Sequence, residues 1–310
     1  MKKVKSPTKS ASREKKYIKS PLNYMGGKYK LLPQILPLLP EKIGTFYDLF
    51  CGGGNVMVNI NAEKIVGNDI LTDLVNFYRY IKKETEDNVF ADMNFLTKKY
   101  NLSKENKDGY MELRYSYNYL KKTLPDYEHE REISDMLFAL ICHSFNNQLR
   151  YNKKGDFNTP FGKGRSSFNP SIQSNLKDFM KTIKAKNIQF TNIDFLDFNI
   201  ERLSENDLVY VDPPYLISDA TYNKMGGWGE DKERALLDFL DKVNEKGAKF
   251  DLSNVLVHNG QRNEILTTWA LKYGIHFLQH NYNNCNYQKK DKVSETQEVL
   301  IVNYATDGEL

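Results

Sequence analysis

The stretch that most constrains this chain is Asp207-Leu208-Val209-Tyr210-Val211-Asp212-Pro213-Pro214-Tyr215. A run of β-branched, aliphatic and aromatic residues reads as a buried strand, and two prolines that cannot continue its ladder end it abruptly. Asp212 to Tyr215 therefore stand at a strand's carboxyl end. In open α/β sheets that edge is where ligands bind, so a carboxylate, a stiff turn and an aromatic face are offered there together.

An aromatic amine such as the exocyclic nitrogen of adenine is a poor nucleophile, because its lone pair is delocalised into the ring. Two acceptors placed on its N–H groups favour the pyramidal nitrogen whose lone pair points at an electrophile. Asp212 can supply a carboxylate oxygen and Pro213 a backbone carbonyl held by a fixed φ. Tyr215 can then stack on a base swung out of a helix. An ordinary β-turn is the competing reading, since Asp-Pro and Pro-Pro are common turn dipeptides.

Two glycine loops precede this site. Ser20-Pro21-Leu22-Asn23-Tyr24-Met25-Gly26-Gly27-Lys28 opens the ordered chain, with adjacent glycines for a tight loop and Lys28 at the mouth of a helix expected from Tyr29 to about Leu39. Lys28 suits a carboxylate or phosphate; a plain turn suits the stretch equally. Thr45-Phe46-Tyr47-Asp48-Leu49-Phe50 is a second buried strand that runs into Cys51-Gly52-Gly53-Gly54-Asn55 and an apolar segment. Strand, glycine loop and helix admit an adenosine-containing cofactor. The next strand, Lys64 to Ile70, carries Asp69 near its end, placed to accept from ribose hydroxyls. A nicotinamide dinucleotide would fit the same pairing, although the loop lacks the full Gly-x-Gly-x-x-Gly spacing.

A helix is expected from Leu71 to Lys83, and there the strand-helix alternation stops. Glu84 to about Lys186 is charged, aromatic and helix-rich, which reads as an insertion. Within it a buried helix, Met136 to Ser144, leads into Phe145-Asn146-Asn147-Gln148-Leu149-Arg150-Tyr151-Asn152, a turn at Lys153-Lys154-Gly155-Asp156, and Phe157 to Arg165. This is a hairpin bearing the side chains that reach bases and phosphates, unless it is only a solvated surface. Asn187 to Phe195 resumes the strands, ending in Asp194 and Phe195, which could flank a cofactor's adenine. Leu216 to Gly229 suits a lid. A helix follows from Glu230 to Lys246, stopped by Gly247. Lys249 to Ser253 is a strand and Arg262 to Tyr273 a helix. Ile275 to Tyr282 and Thr296 to Tyr304 suit an antiparallel edge pair.

Composition narrows the setting. Hydrophobic residues at 40% and aromatics at 13% of 310 residues suit a folded soluble protein. No apolar run approaches the roughly 18 residues of a membrane helix, and Met1-Lys2-Lys3-Val4-Lys5 lacks the apolar core of a secretory signal. Cys51, Cys142 and Cys285 form no Cys-x-x-Cys pair, so a reducing cytoplasm is expected and neither a disulfide framework nor a zinc cage is. His276 and His280 have i, i+4 spacing, which ligates only on a helix, and their surroundings read as a strand, so no metal is expected. Up to Ser20 the acid Glu14 stands against Lys2, Lys3, Lys5, Lys9, Arg13, Lys15, Lys16 and Lys19. The whole chain carries +4, so the rest is slightly acidic. The arm could attract a polyanion or be a solvated tail.

Asn23-Tyr24-Met25-Gly26-Gly27-Lys28, Asp48-Leu49-Phe50-Cys51-Gly52-Gly53-Gly54 and Asp212-Pro213-Pro214-Tyr215, in this order with the insertion after the second, resemble the Dam-type DNA adenine methyltransferases. The hairpin with Pro160-Phe161-Gly162 is similar to that family's recognition hairpin. The resemblance covers roughly Pro21 to Tyr304.

It implies an α/β, Rossmann-like S-adenosylmethionine-dependent methyltransferase sheet with an inserted, mainly helical target-recognition domain carrying the hairpin. Residues 1–19 would be a basic tail, 20–83 and 187–310 the catalytic domain, and 84–186 the insertion. Catalysis would fall to Asp212, Pro213 and Tyr215. The cofactor would meet Tyr24, Gly26, Lys28, Asp48, Phe50, Gly52, Gly54, Asp69, Asp194, Phe195 and Asp212. Double-stranded DNA would meet Phe145 as a wedge, Asn146, Gln148, Arg150 as a guanine reader, Asn152, Lys153, Pro160, Lys163 and Arg165. Gln148 replaces an apolar residue and Phe145 a tyrosine, so GATC is only the leading expectation for the site. A separately acting restriction endonuclease is an expected companion, and a monomer is expected with a dimer left open. The competing readings are a related enzyme acting on RNA or protein amines, and a binding module without turnover.

Overall fold

Leu208, Val209, Tyr210 and Val211 are buried at every position, and the strand they form lies in the middle of the sheet. The computed structural model describes residues 17–123, 130–217, 227–279 and 296–306. Its strands are β1 (Thr45–Asp48), β2 (Lys64–Asn68), β3 (Ile188–Thr191), β4 (Leu208–Val211), β5 (Lys249–His258), β6 (Gln261–Arg262), β7 (Gly274–Leu278) and β8 (Thr296–Val302). They run in the order β3-β2-β1-β4-β5-β8-β7, with β6 added on β5. Pairings from β3 through β5 are parallel, and β8 lies antiparallel to both β5 and β7.

The chain steps outward from β1 to β2 and β3, then returns to β4 on β1's other side. The gap above β1 and β4 is therefore the switch point where an open parallel sheet leaves a crevice. Alternation along β4 feeds two cores. Leu208 and Tyr210 join one and Val209 and Val211 the other, each buried aliphatic or aromatic side chain worth about 1.5–3 kcal/mol.

The helices are α1 (Leu32–Ile35), α2 (Asn55–Asn59), α3 (Thr72–Lys83), α4 (Glu86–Lys99), α5 (Lys107–Thr123), α6 (Glu130–His143), α7 (Pro170–Ala185), α8 (Glu230–Glu245) and α9 (Glu264–Ala270). Asn169 starts α7 by accepting from the amides of Ser171 and Ile172, with Pro170 at the first helical position, where a missing N–H costs nothing. Four helices, α4 to α7, fill the segment between α3 and β3. Buried Met93, Tyr110, Phe138 and Phe179 from them share one core with the sheet face that carries Tyr210.

Several boundaries differ from the sequence reading for physical reasons. The helix expected from Tyr29 to Leu39 is broken into a 3-10 turn, Lys28–Leu31, then α1, then a second 3-10 turn, Leu36–Leu38, because Pro33 and Pro37 withhold amide donors. The strand expected to reach Phe195 stops at Thr191, where Asn192 turns its amide onto the Asp69 carbonyl. Conversely β5 runs on past Ser253 to His258; buried Ser253 and Asn254 interrupt its apolar pattern without interrupting the ladder. Arg262 is in β6 rather than a helix, and Asn263 caps the shorter α9. The hairpin is held by two isolated antiparallel bridges, Tyr151 with Phe157 and Ser144 with Phe161. His276 is on β7, and no described helix is long and apolar enough to cross a membrane. The basic arm up to residue 16, most of the expected lid, His280 and Cys285 fall outside the described residues.

Candidate active site

Three loops meet at the switch point. They are the Tyr24 to Lys28 loop, the turn after β1 from Phe50 to Asn55, and Asp212 at the end of β4. With Asp48, Val56 and Tyr210 they line an open cleft.

The glycine turn is shaped from both sides. Gly52 has φ 44°, and a Cβ there would lie 2.9 Å from the Tyr24 ring carbons Cδ1 and Cε1. Its amide donates to Asp69 Oδ2 at 3.0 Å, and its carbonyl accepts from the Tyr78 hydroxyl at 2.5 Å. Asp69 Oδ1 accepts from the Leu71 amide at 2.9 Å, so this carboxylate braces the turn and the start of α3 together. Asn68 fixes the neighbouring strand ends by donating to the carbonyls of Leu49 and Ile193.

Lys28, only 4% exposed, places Nζ 2.8 Å from Asp212 Oδ2, 3.6 Å from Glu298 Oε1 and 2.9 Å from the Gly26 carbonyl. Tyr215 donates its hydroxyl to Asp212 Oδ1 at 2.9 Å, and its ring centroid lies 5.1 Å from the lysine. Burial works against the Lys28 ammonium, but Asp212 and then Glu298 outweigh it and hold its pKa above the ordinary lysine value. Burial raises the Asp212 carboxyl, with Lys28 pulling the other way. Asp48 is pushed well up by burial and by the charges of Asp212 and Asp69, and its Oδ1 finds no hydrogen-bond partner among the described residues. The Tyr210 hydroxyl is likewise buried without one. The cleft thus holds an excess of carboxylate over cation and orphaned polar atoms, features that suit a cationic polar ligand.

The expected residues do not all gather. Tyr24, Gly26, Lys28, Asp48, Phe50, Gly52, Gly54 and Asp212 line the cleft, whereas Asp69, Asp194 and Phe195 do not. Phe195 is buried in the second core, its ring 5.6 Å from Phe50 and 6.0 Å from Trp228. Asp194 caps a 3-10 turn through Leu196. Pro213 is buried and Tyr215 half-buried beside the opening.

On the hairpin, Phe145 and Asn146 are exposed, and Asn146 and Asn147 both have positive φ, at 55° and 53°. Two successive left-handed residues turn the chain sharply as it leaves α6. The Arg165 guanidinium lies 4.8 Å from the Phe145 ring centroid, and the Pro160 carbonyl accepts from the Phe145 amide at 2.7 Å. Arg150 donates from Nε and Nη2 to the side chain and carbonyl of Asn158 at 2.9 and 3.0 Å, which fixes its guanidinium plane. Asn152 uses its side-chain oxygen on the amides of Lys154 and Asp156, forming the turn rather than projecting outward. Lys153 and Lys163 are exposed and Gln148 is half-buried.

Glu298 and the Tyr210 hydroxyl were absent from the sequence reading. A lone acid ahead of Val299-Leu300-Ile301-Val302 was the available signal for Glu298.

Sheet, crevice and strand-end carboxylate define an open α/β fold with its ligand site at the switch point. The model of the D12 class N6 adenine-specific DNA methyltransferases matches residues 24–284, and the chain belongs to that family. It is 46% identical to the type II methyltransferase M.FokI of Planomicrobium okeanokoites over 93% of this chain and 43% of that protein. It is 40% identical to the modification methylase StsI of Streptococcus sanguinis over 95% and 44% respectively. Similarity to a DNA adenine methylase of Vibrio cholerae is 29% over 75% of this chain and 80% of that one. The chain thus spans less than half the length of the first two relatives.

Proposed function

We propose that this chain transfers the methyl group of S-adenosyl-L-methionine to N6 of an adenine swung out of double-stranded DNA. The observation that carries the reading is the Asp212 carboxylate, set at the switch point beside the glycine turn and held by Lys28 and Tyr215. Family membership supports the same reaction.

The donor set fits the cofactor. Asp48, with an orphaned oxygen, and the carboxylate excess around it suit the positive groups at the methionine end. Tyr24, Lys28 and the Phe50 to Gly54 turn would enclose it, and Asp69 would act from behind the turn. When bound, the cofactor supplies an electrophilic methyl on a sulfonium. The protein's task is alignment of that methyl with the amine. Asp212 retains acceptor capacity, since a carboxylate offers about four lone-pair sites and Lys28 and Tyr215 use two. One remaining site and the Pro213 carbonyl accept from the amine's two N–H groups, while the Tyr215 ring faces the base. The methylated amine sheds its proton readily, so no strong base is needed.

Segment 84–186 is read as the recognition part. Phe145 would enter the base stack, Arg150 would read guanine, and Asn146, Gln148, Asn152, Lys153, Pro160, Lys163 and Arg165 would meet base edges or phosphates. GATC or a related sequence is the target this reading favours. Relatives named as modification methylases support a companion restriction endonuclease and a cytoplasmic setting. Expression in a methylation-deficient host, with long-read sequencing of modified bases, tests activity and target together. N6-methyladenine in one sequence context is expected; unmodified DNA from cells containing folded protein would contradict the proposal.

A further inference from the structure

Glu298 is 3% exposed and begins the fully buried part of β8. The register aligns Asp48 with Tyr210, Tyr210 with Asp251, and Asp251 with Val302. Strand alternation then puts Glu298 on the face that carries all three. A bulge in β5 between Val255 and Val257 lies opposite Glu298 and Gln297, the kind of kink that re-aims a side chain. A carboxylate in such a strand is costly unless it is paired.

Its partners are the groups that hold Asp212. Glu298 Oε1 is 3.6 Å from Lys28 Nζ and 3.4 Å from the Tyr215 hydroxyl, and the same two groups lie 2.8 and 2.9 Å from Asp212. Asp212, Lys28, Glu298 and Tyr215 therefore close a four-membered ring of contacts across β8, β4 and the N-terminal loop. One ammonium is divided between two carboxylates, so Asp212 is held in place without being fully neutralised.

We propose that Glu298 is a positioning residue for the transfer step, holding Lys28 and Tyr215 so that Asp212 presents its remaining lone pairs to the target amine. This rests on the methyl-transfer reading above.

Glu298→Gln keeps the shape and removes the charge. In the full chain it should lower the single-turnover rate of methyl transfer by about tenfold or more while changing S-adenosylmethionine affinity by less than about threefold. Glu298→Asp should recover part of the rate. A second readout needs no activity: the Asp212 carboxyl, labelled with carbon-13 and identified by its loss in Asp212→Asn, titrates in the ligand-free protein. The groups facing it are Lys28, Glu298, Tyr215, Asp48 and Tyr210. With Glu298 neutral, Asp212 should titrate at lower pH. Should Glu298→Gln fail to fold, Tyr215→Phe cuts the ring at its hydroxyl and should slow transfer with cofactor affinity kept. A rate within about twofold of the parent, a loss matched by the fraction lacking cofactor, or an unmoved Asp212 titration would each overturn the proposal. A parent chain that binds cofactor and DNA yet transfers nothing would instead overturn the methyl-transfer reading, and the carboxyl titration would still decide the ring.

Discussion

The side-chain amide of Asn23 donates to the backbone carbonyl of Asn146 at 2.7 Å, joining the loop that carries Tyr24 and Lys28 to the residue beside Phe145 on the hairpin. Asn146 holds its carbonyl there in a left-handed conformation, at φ 55°. A shift of the hairpin on DNA would pull on the cofactor loop through this bond.

Removing it should uncouple the two ligands. An exposed hydrogen bond is worth about 0.5–1.5 kcal/mol, or up to about tenfold in affinity. Asn23→Ala should leave S-adenosylmethionine binding to the free protein within about twofold, while the gain in that affinity on adding a cognate duplex falls by up to about tenfold. Calorimetric titrations with and without duplex measure both. An undiminished gain would show that the bond carries no coupling.

Gly52 closes against Tyr24 on one side of the cleft. An alanine methyl would meet the Tyr24 ring at 2.9 Å and force a side chain into φ 44°. Left-handed backbone alone costs about 1–2 kcal/mol, so Gly52→Ala should lower stability by at least that and weaken cofactor binding about tenfold or more. Tyr24→Ala in the same chain removes the obstacle but not the backbone strain, so melting should recover in part and binding should not. Full tolerance of Gly52→Ala would mean that the ring moves aside freely.

Arg150 presents a guanidinium braced by Asn158. Arg150→Ala should cost about 1–3 kcal/mol at one guanine and relax choice there. Asn158→Ala should give a smaller change of the same kind, because it frees the arginine without removing it. Methylation rates on a panel of single-base site variants test both; unchanged discrimination in Arg150→Ala would remove it from base reading.

Asp251 lies in the interior under the cleft, with Oδ1 accepting from the Tyr304 hydroxyl at 2.6 Å and Oδ2 without a partner among the described residues. Burial pushes its carboxyl up to about 7 from an ordinary 3.8. The folded protein therefore keeps a proton that the unfolded chain gives up. The stability this contributes is complete below the unfolded value and is lost as pH rises through about 7. Asp251→Asn removes the titration, so its stability relative to the parent should rise by up to about 4 kcal/mol between about pH 4 and pH 8. Urea unfolding across that range measures it, and a flat difference would place the Asp251 carboxyl in its ordinary range.

The sheet was legible in the chain wherever apolar runs met a sharp stop. Thr45 to Asp48 ends in glycines and Leu208 to Val211 in prolines, and both runs are strands in the register a switch point needs. Legibility failed where polar residues are buried for reasons that periodicity cannot carry. Ser253 and Asn254 hid the second half of β5, and Glu298 was read as part of an ordinary edge strand. Pro33 and Pro37 withhold amide donors, and the helix expected over Tyr29 to Leu39 divides into two 3-10 turns around the short α1. The glycine turn announced itself in sequence, but the bracing of Gly52 by Asp69 and Tyr78 is tertiary and has no local signature. Phe195 is buried in the second core against Phe239 and beside Phe50, which lines the cleft, a placement that its position after a strand does not by itself carry.

Asp212 bears the central claim, and single-turnover methyl transfer by Asp212→Ala tests it most directly. With cofactor and duplex both saturating, the rate should fall by about a thousandfold or more, while duplex affinity stays within several-fold of the parent. A variant that methylates adenine at near-parental rate would contradict the account, because the Pro213 carbonyl alone would then suffice to hold the amine.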